Sequence, residues 1–373
     1  MTEFRKIPFF NYPSLFKIKE KEIMANLQDV LGRGAYIMQK DLEQFEKNLK
    51  KFLGVKHAFG VADGTNALIL SLRAVGVGPM DEVILPSHTY IATAASVHFV
   101  GAIPVLVECG PDHMINPSAV EKAVNDRTRI IMPVQLNGRT CDMDALQAIA
   151  DRYDLLIIED AAQAFGSRFK NRCAGTFGIA GTFSFYPAKL LGCFGDGGAV
   201  GTNDDNVAKN ISLLRDHGRN EYGEVVAWGT NCRLDNIQAS ILNLKLKTFN
   251  KDIAKRRDIA FMYHQTLKDS KDLILPPAPD EDDKHFDVYQ NYEIEAERRD
   301  ELKNYLESNG IGTLIQWGGK AVHQFKRLGF DELNLPITEK MTSRFLLLPM
   351  NTSLTNEDIN YICDHIIKFY YQK

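Results

Sequence analysis

From residue 57 onward, short apolar runs alternate with segments whose apolar residues recur every three or four positions. The runs read "HAFGVA", "DEVILP", "IPVLVE", "RIIMPV" and "DLLIIED", and the helical patterns between them cover residues 66–77, 92–101 and 143–153. Continuous aliphatic runs are typical of parallel strands buried on both faces. The alternation therefore predicts an α/β fold with a mostly parallel central sheet and helices on both faces.

Different patterns flank this α/β region. Before it, two amphipathic helices are predicted, one with apolar positions 23, 27, 30 and 31 and one with 42, 45, 49 and 52. After it, a helix over 251–267 and a linker at 276–283 lead into a smaller α+β unit, with a strand near 288–294 and a helix over 299–310. Its last helix should begin at Thr355, which with Asp358 has capping-box spacing. We predict a large domain over 1–250 and a small one over 251–373.

Composition narrows the possible partners and the compartment. The 373-residue chain is 45% hydrophobic and 25% charged, with a net charge of −4 and a pI of about 6.2. No overall field favours nucleic acid or an anionic membrane. The six cysteines lack zinc-site spacing, so we expect free thiols, a cytoplasmic location and no metal. We expect neither a signal peptide nor a membrane span.

Three features with candidate chemistry fall at the carboxyl ends of predicted strands, where open α/β sheets bind ligands. The first is "VADGTNAL" (61–68), in which Gly64 and Thr65 join a strand to a helix. Free backbone N–H groups at a helix N-terminus suit a phosphate. Taken alone, the stretch is better explained by an ordinary strand-to-helix turn with a polar cap. No GK[ST] follows, which excludes a Walker A loop.

The second feature is the pair of acids that ends "DLLIIED", Glu159 and Asp160. Acids at a strand end often cap a helix. A buried acid opposite a pyridinium ring would instead keep the ring nitrogen protonated. Gln163 follows at a spacing of about one helical turn. The local pattern leaves both interpretations open.

The third feature is Lys189, which lies within an apolar run in "SFYPAKLLGCFGDGGAV". Its stem could snorkel out of a core. Alternatively, burial could lower the pKa of its amine and free the lone pair for imine formation. Ser184 precedes it at the end of a predicted strand, and the glycines that follow would let a loop pack tightly against a cofactor.

A phosphate turn, a strand-end acid and a buried lysine, in this order, are the parts that a pyridoxal 5'-phosphate (PLP) enzyme needs. Lys189 would take the aldehyde, Asp160 the ring nitrogen, and Gly64, Thr65 and Ser184 the phosphate. A nicotinamide-dependent dehydrogenase is disfavoured because no GxGxxG opens a βαβ unit. A cofactor- or sugar-binding regulator without turnover remains an alternative.

The chain resembles the DegT-type sugar-nucleotide aminotransferases, which are fold-type-I PLP enzymes, over nearly its whole length. The resemblance rests on "GAYIMQKDLEQFEKNLKKFLGVKHAFGVADGTNAL", "ILPSHTYIATAASVHFVGAIPVLVE", "IIEDAAQAFGS", "FSFYPAKLLGCFGDGGAV", "LRDHG", "GTNCRLDNIQASIL" and "LLLPMNTSLTNEDI". It implies the PLP-dependent transferase fold with a smaller C-terminal α+β domain.

The resemblance also implies a role for each matching residue. Lys189 would be the Schiff-base lysine and proton carrier, and Tyr90 would stack on the ring. Asn231 would reach the phosphate in the neighbouring subunit, which implies a homodimer with shared active sites. Asp160 would contact the ring nitrogen, and Gln163 would contact the ring hydroxyl. The phosphate would be bound by Gly64, Thr65, Asn66 and Ser184.

The implied reaction moves an amino group from L-glutamate to a keto-sugar nucleotide for amino-sugar biosynthesis, such as lipopolysaccharide O-antigen, S-layer or glycan assembly. Dehydratases of the family carry histidine at the lysine position, so Lys189 indicates a transaminase. "SFYPAK" and "GDGG" resemble members that act on C3, whereas C4 members more often read "SFHxxKxxxTGEGG". We therefore expect a dTDP-3-keto-6-deoxyhexose substrate, with C4 amination of a UDP-, GDP- or dTDP-4-keto-6-deoxy sugar as the alternative.

One loop departs from the family pattern. "GIGTLIQWGGKAVHQF" (310–325) replaces the start of the usual "YPxPLHxQ" loop, although His323 and Gln324 match its end. Because this loop normally approaches the sugar or its diphosphate, His323 is a candidate substrate residue, with an ordinary surface histidine as the alternative. The residue that binds glutamate's carboxylate is unassigned, and Arg215 is a guess.

Overall fold

A computed structural model describes residues 4–371 of the chain. Its largest sheet has seven strands in the order β1-β9-β8-β5-β4-β2-β3. Five of these strands, β8-β5-β4-β2-β3, run parallel, and β9 pairs antiparallel with both β8 and β1. The strands of the whole structure are His57–Val61 (β1), Glu82–Pro86 (β2), Ile103–Val107 (β3), Thr128–Ile131 (β4), Leu156–Asp160 (β5), Arg168–Phe169 (β6), Arg172–Cys173 (β7), Ala180–Ser184 (β8), Gly198–Thr202 (β9), Leu273–Ile274 (β10), His285–Phe286 (β11), Tyr292–Ala296 (β12) and Phe345–Leu348 (β13).

Helices cover both faces of the sheet. Successive residues of a strand point to opposite faces, so each strand contributes side chains to two separate cores. In β2, Ile84 joins one core with α6 and α7, whereas Val83 and Leu85 join another with α4 and α5. The α/β prediction is confirmed. The helices are Tyr12–Ile18 (α1), Glu20–Gly32 (α2), Lys40–Leu53 (α3), Gly64–Ala74 (α4), Ile91–Phe99 (α5), Pro117–Ala123 (α6), Met143–Tyr153 (α7), Asp205–Leu214 (α8), Asn236–Leu246 (α9), Phe249–Leu267 (α10), Arg299–Ser308 (α11), Pro336–Thr342 (α12) and Asn356–Tyr371 (α13).

The C-terminal unit has a core of its own, built from α10, α11, α13 and the three-stranded sheet β10-β12-β13. The predicted capping box at the start of α13 is present. The Thr355 backbone N–H donates to Asp358 Oδ2 at 3.0 Å, and the Asp358 backbone N–H donates to Thr355 Oγ1 at 3.2 Å. These bonds satisfy N–H groups that have no partner within the helix.

The N-terminal segment crosses to this C-terminal unit. The Ile7 N–H donates to the Gly310 carbonyl at 2.8 Å, and the Gly312 N–H donates to the Ile7 carbonyl at 2.8 Å. Ile7 is buried in the C-terminal core. The predicted boundary assigned this segment to the large domain, whereas its hydrogen bonds and its packing belong with the small one.

The six cysteines are free thiols, and five of them are buried. Among the helices of residues 4–371, no helix is long and apolar enough to cross a membrane.

Candidate active site

The predicted phosphate turn lies between β1 and α4. Asp63 caps α4 and accepts hydrogen bonds from the Asn66 backbone N–H at 2.8 Å and from Asn66 Nδ2 at 2.7 Å. Asn66 is therefore tied to Asp63 through both its backbone and its side chain. The first backbone N–H groups of a helix have no partner within it, so those of Gly64 and Thr65 are suited to an anion.

Gly64 and Ser184 bring this turn against the carboxyl end of β8. A Cβ atom at Gly64 would lie 2.9 Å from the Cβ atom of Ser184. Since real Cβ atoms do not approach so closely, glycine is required here for a spatial reason. The Ser184 hydroxyl and the α4 N-terminus thus face the same small space.

Asp160 is buried at the carboxyl end of β5. Its Oδ2 accepts a hydrogen bond from Thr93 Oγ1 at 2.8 Å, and its Oδ1 accepts one from the Ala162 backbone N–H at 3.1 Å. Burial raises the pKa of Asp160, whereas these two hydrogen bonds and the charge of Lys189 lower it; the net direction is upward. The two hydrogen bonds fix the carboxylate in position, and the raised pKa means that it binds a proton more readily than an exposed aspartate does.

Lys189 lies close enough to Asp160 for their charges to interact. The residue keeps some solvent exposure, but burial of its amine lowers the pKa to about 8, and the Asp160 carboxylate opposes that shift. The side chain borders a cavity of ≈ 530 Å³ whose lining includes Phe10, Gln290 and Asn291. An amine with this pKa is partly deprotonated near neutral pH and can act as a nucleophile.

Gln163 is held by neighbours from both structural units. Its Oε1 accepts hydrogen bonds from the Asn137 backbone N–H at 3.0 Å and from Asn291 Nδ2 at 3.3 Å. Its Nε2 makes a long hydrogen bond of 3.4 Å to Gln316 Oε1. Because the backbone N–H of Asn137 requires an acceptor, the amide orientation is fixed, and Nε2 is the atom left to donate to a ligand.

Tyr90 and Asn231 lie at the surface of the chain. Tyr90 is 56% exposed at the start of α5, and its ring centroid is 6.5 Å from that of Trp317. Asn231 is exposed, accepts a hydrogen bond from Arg233 Nε at 3.0 Å and forms an antiparallel bridge with Asp216. Both side chains are exposed, and their roles in stacking and in contacting a second subunit stay predictions.

His323 is buried, with contacts at both ring nitrogens. Its Nδ1 lies 2.6 Å from Ser87 Oγ, and its Nε2 lies 3.2 Å from Glu339 Oε1. The structure thus places it inside the fold rather than on the surface, with neither nitrogen free for a ligand. Its substrate role stays a prediction.

Arg215, the guess for the glutamate carboxylate, is buried beside β1. It pairs with Glu46 and donates a hydrogen bond to the Gly60 carbonyl at 3.0 Å. Its guanidinium also lies 5.0 Å from the centre of the Phe59 ring. The guanidinium is therefore bound to residues of the large domain.

Sequence reasoning missed a cluster at the interface of the two units. His88, His113 and Glu293 offer possible metal-ligand atoms that all lie within 4.8 Å of one another. The prediction of no metal rested on cysteine spacing, which carries no information about these residues. Asn137 and Gln316, which join Gln163 to Glu293, were missed as well.

The residues fit PLP. Gly64 leaves room that a Cβ would fill at a helix N-terminus, Asp160 is a fixed buried carboxylate, and Lys189 supplies an amine of lowered pKa. Phosphate, pyridine nitrogen and aldehyde each have a donor or partner of the right chemistry. Together these residues can perform amine–carbonyl exchange.

Comparison with known proteins agrees with this chemistry. The model of the DegT/DnrJ/EryC1/StrS aminotransferase family matches residues 17–367. A dTDP-3-amino-3,4,6-trideoxy-alpha-D-glucose transaminase from Streptomyces venezuelae is 39% identical over 370 residues, covering 98% of this chain and 96% of its own. A "pleiotropic regulatory protein" from Geobacillus stearothermophilus is 37% identical over 98% of each chain.

Two further comparisons concern the reaction. A GDP-perosamine synthase from Caulobacter vibrioides is 36% identical and covers 86% of this chain and 87% of its own. The crystal structure of S. venezuelae DesV in complex with a ketimine intermediate superposes with a TM-score of 0.93 at 38% identity, covering 98% of this chain and 99% of that one. The chain belongs to the DegT/DnrJ/EryC1/StrS family and is a PLP-dependent sugar-nucleotide aminotransferase.

Proposed function

We propose that the protein transfers the amino group of L-glutamate to C3 of a dTDP-3-keto-6-deoxyhexose. The observation that carries the reaction type is the amine of Lys189, whose pKa burial lowers to about 8 beside the fixed carboxylate of Asp160. When bound, PLP supplies an electron sink next to the carbon that exchanges its amino group.

In this proposal Lys189 has two tasks. It would hold the cofactor at its aldehyde carbon between reactions, and its free amine would move the proton at the reacting carbon of the substrate. An amine with a pKa of about 8 can both accept and return a proton near neutral pH. The Asp160 charge limits the fall of the pKa and so keeps Lys189 within the useful range.

The other site residues bind and orient. Asp160 would keep the pyridine nitrogen protonated, and Gln163 Nε2 would donate to the ring hydroxyl oxygen. Tyr90 would cover one face of the ring. Gly64, Thr65, Asn66 and Ser184 would bind the phosphate.

The proposed active unit is a homodimer in which Asn231 reaches the partner's phosphate. The segment just before Asn231 supports this, because it exposes large apolar side chains: Tyr222 is 80% exposed, Val225 69% and Trp228 92%. Exposed apolar groups of this density mark interaction surfaces. A second copy of the chain would cover them.

Two observations favour C3 over C4. "SFYPAK" and "GDGG" resemble C3 members, and the S. venezuelae transaminase named for a 3-amino sugar matches at 39% identity over 98% of this chain. The runner-up, C4 amination, is supported by the GDP-perosamine synthase at 36% identity. The free cysteines are consistent with action in the cytoplasm, on the way to O-antigen, S-layer or glycan amino sugars.

NMR of the product tests the position of the amine. The protein is incubated with PLP, glutamate and an enzymatic supply of dTDP-4-keto-6-deoxyglucose, with and without a 3,4-ketoisomerase. We expect an amine at C3 only when the isomerase is present. An amine at C4 without the isomerase would establish the runner-up.

Two controls separate catalysis from binding. Lys189→Met should abolish product while leaving the fold intact. A wild-type protein that binds PLP yet turns over neither this substrate nor UDP- and GDP-linked keto sugars would support a regulatory role, as the name of the G. stearothermophilus relative suggests.

A further inference from the structure

Three side chains from both structural units converge beside Trp317. His88 lies between β2 and α5, His113 lies between β3 and α6, and Glu293 lies in β12 of the C-terminal unit. Two imidazoles and one carboxylate form the donor set of many zinc sites that keep one position open. We propose that His88, His113 and Glu293 bind a divalent metal ion of the zinc class.

His88 is the first reason for this assignment. Its side chain is fully buried, and neither ring nitrogen has a hydrogen-bond partner within residues 4–371. Its Nε2 lies 3.6 Å from Glu293 Oε1, which is longer than a hydrogen bond. Buried polar atoms nearly always have a partner, so this imidazole requires one that the side chains around it do not supply.

His113 provides the second reason. Its Nδ1 lies 2.8 Å from Glu293 Oε1, and its Nε2 lies 3.2 Å from Glu295 Oε1. When Nε2–H donates to Glu295, the Nδ1 lone pair faces an oxygen lone pair of Glu293, and either a second proton or a metal ion must lie between them. A carboxylate behind an imidazole is also the arrangement that orients metal-bound histidines.

Glu293 is held in place for this task. Gln316 Nε2 donates to its Oε2 at 2.8 Å, and Asn137 Nδ2 donates to its Oε1 at 2.9 Å. A buried carboxylate needs a positive partner. A proton on His113 alone would satisfy the carboxylate but leave His88 without a partner, whereas a divalent ion contacts all three groups.

The position of the cluster suggests what the ion does. A cleft lined by His113, Asn137 and Glu293 gives access from solvent. The ion would connect β12 of the small unit to two loops of the large one. Because His88 precedes Tyr90 by two residues, the ion would also fix the backbone that presents the Tyr90 ring. This role is structural and does not depend on which sugar the enzyme uses.

A cobalt titration tests the site in the PLP-loaded protein. The protein is first treated with a chelator, and Co²⁺ is then added while visible absorption and the thermal midpoint are measured. We expect one ion per chain, a d–d absorption band typical of nitrogen and oxygen ligands, and a rise in the midpoint. His88→Ala and Glu293→Gln should abolish all three, and His98→Ala, at an exposed histidine of α5, should preserve them.

Two results would overturn the assignment: a wild type that shows neither the band nor the midpoint shift, or a His88→Ala variant that binds Co²⁺ as well as wild type. His88→Ala is the decisive variant because His88 has no hydrogen bond to lose. If Glu293→Gln does not fold, the wild-type and His88→Ala titrations still decide the question.

Discussion

Gly64 and Ser184 approach so closely that a Cβ on the glycine would lie 2.9 Å from the Cβ of the serine. This contact sets the distance between the α4 N-terminus and β8, the two elements assigned to the phosphate. Gly64→Ala should therefore push them apart and weaken PLP binding by about tenfold or more, equivalent to roughly 1.4 kcal/mol. Titration of the apoprotein with PLP, followed by its absorption, measures the effect.

The matched control is Gly78→Ala, because a Cβ at Gly78 meets nothing within 4 Å and its φ is not positive. This variant should bind PLP as wild type does. Equal affinity of Gly64→Ala and wild type would mean that the turn does not hold the phosphate.

The buried amine of Lys189 should destabilise the folded apoprotein. Its amine has a pKa of about 8 when folded and an ordinary value of 10.5, so protonation favours the unfolded chain. At pH 7 Lys189→Met should raise the free energy of unfolding by about 1–3 kcal/mol, at the lower end if residual exposure screens the charge. Urea unfolding of both apoproteins measures this.

The sign of its pH dependence follows. Between about pH 8 and 10.5 the unfolded chain holds a proton that the folded chain has lost, so wild-type stability gains from rising pH. The difference in the free energy of unfolding between Lys189→Met and wild type should shrink across that window. A difference that widens with pH would contradict the lowered pKa of Lys189.

The rate at which the apoprotein captures PLP covalently should also follow pH. Only the neutral amine attacks an aldehyde, so the rate should rise about tenfold per pH unit below about 8 and level off above it. Stopped-flow absorption gives the profile. In Asp160→Asn the inflection should move to lower pH, because the charge that raises the pKa of Lys189 is gone. Lys170→Ala, at an exposed lysine, should leave the inflection unchanged.

Glu159 should be a determinant of folding rather than of the reaction. Its buried carboxylate accepts hydrogen bonds from Gln135 Nε2 at 2.8 Å and from the backbone N–H groups of Gly175, Phe177 and Gly178 at 2.7, 2.5 and 3.0 Å. Glu159→Gln replaces one carboxylate oxygen, which accepts hydrogen bonds, with an amide NH₂ group. That NH₂ group would face the N–H donors that now bond to the oxygen. We expect the free energy of unfolding, measured with urea, to fall by about 2–4 kcal/mol.

The partially exposed Glu121, on α6, provides the comparison for Glu159. Glu121→Gln should change the free energy of unfolding by less than about 1 kcal/mol, since an exposed ion pair contributes little. If both variants lose the same amount, the hydrogen bonds to Glu159 do not carry the stability assigned to them.

Much of the fold followed from local pattern. Buried parallel strands are continuous in sequence, so β2 and β5 could be located closely, and the Thr355–Asp358 cap could be predicted because it spans three residues. The strand-end residues Asp160 and Ser184 were found for the same reason. The topology of a parallel sheet brings such positions to one edge.

What the sequence could not reveal depends on contacts between distant segments. His88, His113 and Glu293 come from three separate parts of the chain, and no spacing rule joins them. Gln316 was seen only as a departure from a family loop, although its amide links Gln163 to Glu293. The antiparallel placement of β9 between β1 and β8 was likewise not predicted, because every residue of β9 is buried and the strand lacks the polar alternation that distinguishes many antiparallel strands.

The attachment of Ile7 to Gly310 and Gly312 has a consequence for biosynthesis. The ribosome makes the N-terminal segment first, but its hydrogen-bonding partners emerge only after some 300 further residues. The large sheet can form while synthesis continues, whereas the small unit cannot close until its last core residue, Ile366, has been made. Ile7 therefore has no hydrogen-bonding partners until Gly310 and Gly312 have been made, and chains truncated before Gly310 should leave its apolar side chain open to chaperones or to aggregation.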